Sequence, residues 1–185
     1  MKIILASASP RRRELLDLAG IKFDIMPADV DENADPSLSP EQLVAFLSEK
    51  KARHVYDSLT GHDVIVIGAD TVVAIDGLIL GKPKNDAGAF DMLSRLQGRT
   101  HMVFTGITLI SENKIKTFAE STKVFMRALT DKEIHDYIAT GEPSDKAGSY
   151  GIQGRGALLV ERIEGDFFSV MGLPLCRLNM ALQEF

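Results

Sequence analysis

Residues 63–85 read DVIVIGADTVVAIDGLILGKPKN. An apolar, β-branched run bounded by turn residues marks a buried strand, and Asp76-Gly77 is the strongest short hairpin signal. With these two central, Ile75 faces Leu78, Ala74 faces Ile79 and, counting on, Thr71 faces Lys82. Asp70 interrupts the run, and a carboxylate in a core strand must be paired, metal-bound or at an exposed end. A carboxylate, a hydroxyl and an ammonium thus converge, either as a structural ion pair or as a reactive site.

On the N-terminal side lies a strand-loop-helix unit. KIILA (residues 2–6) is a short strand, SAS a loop, and residues 10–19 a helix begun by Ser9 and Pro10 and closed by Gly20. Residues 23–38 mix a short strand with an acidic loop. A long helix then follows Ser39, where Pro40 and Gln42 supply the first-turn proline and the capping-box partner. On the C-terminal side the pattern predicts a helix over 86–97, long strands over 101–111 and 114–126, and a helix from Thr130 to near Gly141 boxed by Glu133. The glycine-rich stretch 145–156, strands over 157–163 and 166–171, and a closing helix over 174–185 complete the chain. Helices and strands alternate without repeats, which predicts one mixed α/β domain over residues 1–185.

The composition narrows the function. Of 185 residues 45% are hydrophobic, enough for one substantial core. A net charge of -5 with 6% aromatics lacks the basic, aromatic surface of a nucleic-acid binder. Cys176 is the single cysteine, so no internal disulfide forms, and His54, His62, His101 and His135 show no metal-ligand spacing. With no apolar stretch near about 18 residues, a soluble cytoplasmic protein without membrane contact is expected. There is no G-x-x-x-x-G-K-[ST] loop, which disfavours a P-loop kinase or ATPase.

Several residues sit oddly for structure alone. Arg11, Arg12 and Arg13 occupy the first turn of a helix, where the dipole already places positive charge. Free N–H groups after a Ser-containing loop bind anions, and added arginines suit an anion of several charges. Successive helical positions differ by roughly 100°, so not all three arginines face one ligand, and solvated arginines remain the alternative. Lys51 falls between Leu47 and Val55 on the inward stripe of its helix, as an inward cation or a snorkelling one. Asp31 and Glu32 in the acidic loop are candidate magnesium ligands, since Mg²⁺ in phosphate sites takes carboxylates together with phosphate oxygens. In DKAGSYGIQGRG, glycines allow close backbone approach to a ligand, and the Gln153 amide offers one donor and one acceptor, which suits a uracil or thymine edge. A turn-rich connection is the plainer reading.

The stretches LASASPRRREL, IGADTVV, GKPKN, LQGRTHMVFTGI, GEPSDKAGSYGIQGRGALLVERIEG and VMGLPL, in this order, closely resemble the Maf family of nucleoside triphosphate pyrophosphatases. The resemblance implies an inosine-triphosphatase-like fold: a long twisted mixed sheet with flanking helices and two lobes around a cleft. It also implies hydrolysis of a nucleoside triphosphate to the monophosphate and pyrophosphate with a divalent cation, Mg²⁺ or Mn²⁺, and a homodimer. It assigns Asp70 as the catalytic proton acceptor, Ser7, Arg11, Arg12, Lys51 and Lys82 to substrate binding, Glu32 with Asp70 to metal, and Arg12, Thr71 and Gln153 to substrate choice. AGSYGIQG is similar to the subgroup acting on dTTP and UTP. Two rivals use the same residue types: a nucleotide-binding regulator of septum formation, and a phosphatase releasing the γ-phosphate.

Overall fold

The computed structural model describes residues 1–61 and 63–185; His62 lies outside the described residues. The chain divides into two compact units, one of residues 1–71, 105–120 and 172–185, the other of residues 72–104 and 121–171.

In the first unit, β1 (Lys2–Leu5) lies parallel to β2 (Phe23–Ile25) and to β3 (Val64–Ile75), Leu5 pairing with Ile25 on one side and Ile67 on the other. Parallel neighbours require crossovers, and α1 (Pro10–Leu18) and α2 (Pro40–Asp57) provide them. The expected capping box of α2 is present, Ser39 and Gln42 exchanging bonds of 3.2 and 2.9 Å. At α1, Ser9 holds the N-cap position in an extended conformation without a side-chain cap. Val44, Leu47, Ala52 and Val55 of α2 are buried. The helix approaches its strands closely because two facing positions have no side chain. A Cβ on Gly68 would lie 2.1 Å from the Ser48 carbonyl, and one on Gly106 would lie 2.2 Å from that of Val44.

In the second unit, Asp76 and Gly77 both have positive φ, and β4 (Leu78–Leu80) pairs antiparallel with β3 in the predicted register: Ile75 with Leu78, Ala74 with Ile79. The ladder ends one rung later, at Val73 and Leu80, so the extrapolated Thr71–Lys82 pair lies past it. The physical reason is that the Gly81 carbonyl accepts from Gly148 N–H at 3.0 Å, drawing the chain into another connection. α3 (Asp86–Leu96) is capped by Asn85, and α4 (Asp131–Ile138) by the Thr130–Glu133 box. β5 (Thr100–Ile110) and β6 (Ile115–Met126) belong to both units, and β7 (Val160–Glu164) pairs antiparallel with β6. Among the described residues the strands form one seven-stranded mixed sheet in the order β2-β1-β3-β5-β6-β7, with β4 on β3.

Two predicted strands differ from the structure. Residues 157–159 lie in and just after a 3₁₀ turn, Gly154–Leu158, and β7 begins only at Val160. Residues 166–171 form α5 (Phe167–Met171), a short helix. Phe167, Phe168 and Val170 favour strand by propensity, yet the Asp166 carboxylate accepts from Ser169 N–H, and Thr122 Oγ1 accepts from Asp166 N–H at 3.0 Å. Local capping overrides propensity here. The closing helix is α6 (Leu175–Leu182). Among the described residues no helix is long and apolar enough to cross a membrane.

The second unit buries an ionisable pair in its core. His101 is 2% exposed, and its Nε2 lies 2.6 Å from the Tyr150 hydroxyl, while Nδ1 has no partner. Burial lowers the His101 pKa from 6.5 to about 4, because a second ring proton would have nothing to bond. The unfolded chain takes up that proton first, so the contribution is full above pH 6.5 and is lost as pH falls towards the folded value. Integrated, the shift amounts to about 3 kcal/mol. Chemical denaturation of wild type between about pH 7 and about pH 4 is expected to show this decline, and His101→Gln a shallower one. Parallel slopes would remove His101 from the acid response.

Candidate active site

Gly68 and Asp70 are two apart on β3 and therefore face the same side, towards α2. Where Gly68 admits the backbone at Ser48, Asp70 meets the residue three positions on, Lys51. Lys51 Nζ donates to Asp70 Oδ1 at 2.6 Å and lies 2.8 Å from Glu32 Oε1. Lys51 and Asp70 are 9% and 7% exposed, so the inward reading of this lysine is the right one and snorkelling is not. Neighbouring Lys50 sits over the Phe46 ring instead. Within the acidic loop the two carboxylates separate. Asp31 is exposed and accepts from Asn33 N–H at 3.0 Å in a local turn, whereas Glu32 reaches Lys51.

The three arginines separate as well. Arg13 is exposed, 3.8 Å from Asp17. Arg12 turns inward and spans four partners: Nε to the Gly172 carbonyl at 2.9 Å, Nη1 to Ser7 Oγ at 3.1 Å and the Ala69 carbonyl at 2.9 Å, Nη2 to Thr71 Oγ1 at 3.2 Å. Thr71 is bonded in turn to Thr105 Oγ1 at 2.9 Å. These bonds take four of the five N–H donors of a guanidinium, so most of the fork is committed to holding the protein together. Burial lowers the Arg12 pKa, Asp70 and Glu32 oppose this, and nearby Arg11 adds to it. At Asp70, burial outweighs the attraction of Lys51 and Arg12, and its carboxyl rises above the ordinary aspartate value, helped by Glu32.

Ser7, Arg11, Arg12, Glu32, Lys51, Asp70 and Thr71 all belong to the first unit; Lys82 and Gln153 belong to the second. Lys82 and Gln153 are exposed, and neither has an ion pair or hydrogen bond among the described residues. Thr105 and the carbonyls of Ala69 and Gly172 join the cluster without a sequence signal, since a carbonyl is common to every residue.

Lys51 Nζ fills the point where Glu32 Oε1 and Asp70 Oδ1 converge, and the second oxygen of each carboxylate is a hard donor of the kind Mg²⁺ or Mn²⁺ takes. Among the described residues no group of three or more His, Cys, Asp or Glu gathers as a metal set, so such an ion would draw its other ligands from phosphate and water.

The family described as Maf-like protein matches this chain over residues 2–185. A protein of Bacillus pumilus (strain SAFR-032) named dTTP/UTP pyrophosphatase is 52% identical over 184 residues, which take in 100% of this chain and 96% of the relative. One of the same name from Bacillus anthracis is 50% identical, covering 100% and 95%. Among solved structures, the Staphylococcus aureus Ham1 protein is a remote likeness, with TM-score 0.45 and 20% identity over 68% of this chain and 72% of that one. The stretches that hold Asp70, Lys51 and Arg12 thus lie inside one family's pattern, which runs through all but the first residue, and this chain belongs to the Maf family.

Proposed function

We propose that this protein is a cytoplasmic nucleoside triphosphate pyrophosphatase that converts dTTP and UTP to the monophosphate and pyrophosphate. The observation that carries the reading is the buried Asp70 carboxylate, held by Lys51 beside Glu32 and Arg12. Full-length relatives that bear this activity in their names support it.

In this reading the Asp70 carboxylate orients a water and accepts its proton as the oxygen attacks the α-phosphorus. The bond from that phosphorus to the bridging oxygen breaks, and pyrophosphate leaves. Burial makes Asp70 a stronger base than an exposed aspartate, as proton abstraction from water near neutral pH requires. Lys51 fixes the direction of both carboxylates. Arg11, Ser7 and Lys82 contact the phosphates, Arg12 and Thr71 shape the site, and Gln153 reads the base edge. Glu32 and Asp70 would hold a divalent cation, Mg²⁺ or Mn²⁺, which when bound neutralises charge on phosphate oxygens. The chain 1–185 works as one domain, in a homodimer, without nucleic acid or membrane.

The test is a panel of dTTP, UTP, CTP, GTP and ATP with Mg²⁺ or Mn²⁺ and identification of products. Monophosphate and pyrophosphate from dTTP and UTP are expected, with loss on chelation. Diphosphate and orthophosphate would instead make it a γ-phosphatase. Gln153→Leu is expected to lower the preference for dTTP and UTP over GTP by about tenfold while sparing hydrolysis itself, since a lost base contact costs about 1–3 kcal/mol. An unchanged preference would remove Gln153 as the base reader.

A further inference from the structure

The glycine-rich turn that carries Gln153 is closed by side chains from outside it. Gly151 N–H donates to the Tyr137 hydroxyl at 3.1 Å. Arg155 and Gly156 N–H donate to the two oxygens of the Glu142 carboxylate, at 2.9 and 3.2 Å. The Tyr137 hydroxyl also helps to lower the pKa of the Glu142 carboxyl, so the two groups act on each other. Tyr137 thus holds the turn on the N-terminal side of Gln153, at Gly151, and Glu142 holds it on the C-terminal side, at Arg155 and Gly156.

The glycines belong to this closure. A Cβ on Gly156 would lie 2.1 Å from the Gly151 carbonyl and 2.7 Å from the Tyr137 hydroxyl, and one on Gly154 would lie 2.7 Å from Glu142 Oε1. They make room for the protein's own groups, so the N–H groups of residues 151, 155 and 156 are already engaged. The Gln153 side chain is exposed, as is that of Arg155 beside it, and Gln153 has no hydrogen-bond partner among the described residues. Tyr137 is 4% exposed in the core of the unit, next to Ile134 and Ile138 on α4, so the anchor is rigid. Although desolvation opposes it, the two backbone N–H bonds and Tyr137 hold the Glu142 carboxyl below its usual range, and the network persists at neutral pH.

We propose that Tyr137 and Glu142 are positioning residues for base recognition, which act by fixing the turn that presents the Gln153 amide to the pyrimidine edge. The inference rests on Gln153 as the reader of the base. A flexible turn would order its amide only on binding, which weakens the contact; a fixed one has it ready. The pair should therefore act on discrimination and KM rather than on the phosphate chemistry.

The experiment compares wild type with Tyr137→Phe, Glu142→Gln and Glu142→Ala, with dTTP and dGTP as substrates. Tyr137→Phe keeps the ring and removes the hydroxyl. It is expected to lower the dTTP:dGTP ratio of kcat/KM by about fivefold or more through KM for dTTP, with kcat within about twofold, the size of one lost hydrogen bond. Glu142→Ala should do more, and Glu142→Gln, which keeps one acceptor oxygen, should recover part of the loss. In a Gln153→Leu background Tyr137→Phe should change the ratio no further, because both act through one amide. Amide exchange at Arg155 and Gly156 should accelerate in Glu142→Ala, whatever its activity. Equal losses on both substrates, additive effects with Gln153→Leu, or unchanged exchange would overturn the positioning role. Wild type without a pyrimidine preference would overturn base reading itself, whereas a preference kept intact in Tyr137→Phe and Glu142→Gln would overturn the positioning alone.

Discussion

Asp70→Asn is expected to lower turnover of dTTP by about 100-fold or more, the contribution of a general base or metal ligand. The substitution keeps the shape of the side chain and its bond with Lys51, but the amide neither accepts the water proton nor holds a cation with charge. The fold should survive, because burial makes the ionised carboxylate the costly form at this position. A carboxyl whose folded pKa is raised contributes most stability when protonated, below the ordinary aspartate value, and loses that contribution as pH rises through the raised value. The variant lacks this loss, and Lys51 keeps Glu32 at 2.8 Å. Unfolding in chelator-treated buffer at neutral pH should therefore show Asp70→Asn no less stable than wild type by more than about 1 kcal/mol. Near-normal turnover in the folded variant would take Asp70 out of the mechanism. A collapse in stability would mean that its pairing with Lys51 outweighs its desolvation.

How much of this was legible in the sequence depends on the range of the force involved. The hairpin register followed from Asp76-Gly77 because a two-residue turn with positive φ at both positions fixes the pairing on either side. It failed at Thr71 and Lys82, where the Gly81 carbonyl is taken by Gly148, a residue far along the chain. Helical periodicity placed Lys51 on a stripe with Leu47 and Val55 but left an inward and a snorkelling cation open, and only the folded contact with Asp70 decides between them. Its partner Glu32 was named only as a metal ligand, since nothing local ties a loop residue to a helix lysine. Residues 166–171 misled because two phenylalanines and a valine say strand, whereas Asp166 caps a helix against Thr122. The glycines of 148–156 were read as room for a ligand. At Gly154 and Gly156 they make room for Glu142, Tyr137 and the turn's own backbone, a purpose that only the folded contacts reveal.

Arg12 presents the sharpest difference between a charge and a geometry, and two substitutions separate them. From sequence it is one of three cations at a helix start; in the structure it joins Ser7, the β3 backbone at Ala69, Thr71 and the Gly172 carbonyl, across 160 residues of chain. Arg12→Ala strands these acceptors, removes a cation near Asp70, and is expected to cost about 2–4 kcal/mol of stability. The kcat/KM for dTTP should fall by tenfold or more, as losing about 1.5–3 kcal/mol of charge-assisted contacts implies. Arg12→Lys restores the charge but not the planar fork, because an ammonium on a flexible stem reaches one or two of these partners at a time. If the geometry governs, Arg12→Lys recovers little of the lost stability and kcat/KM stays within a few-fold of the alanine variant. If the charge governs, lysine returns kcat/KM close to wild type while stability stays low. The structure favours the first outcome, since the guanidinium bonds carbonyl and hydroxyl oxygens and its ionic neighbours Asp70 and Glu32 are already bridged by Lys51. Full recovery of both quantities in Arg12→Lys would show that the fork adds nothing beyond its charge.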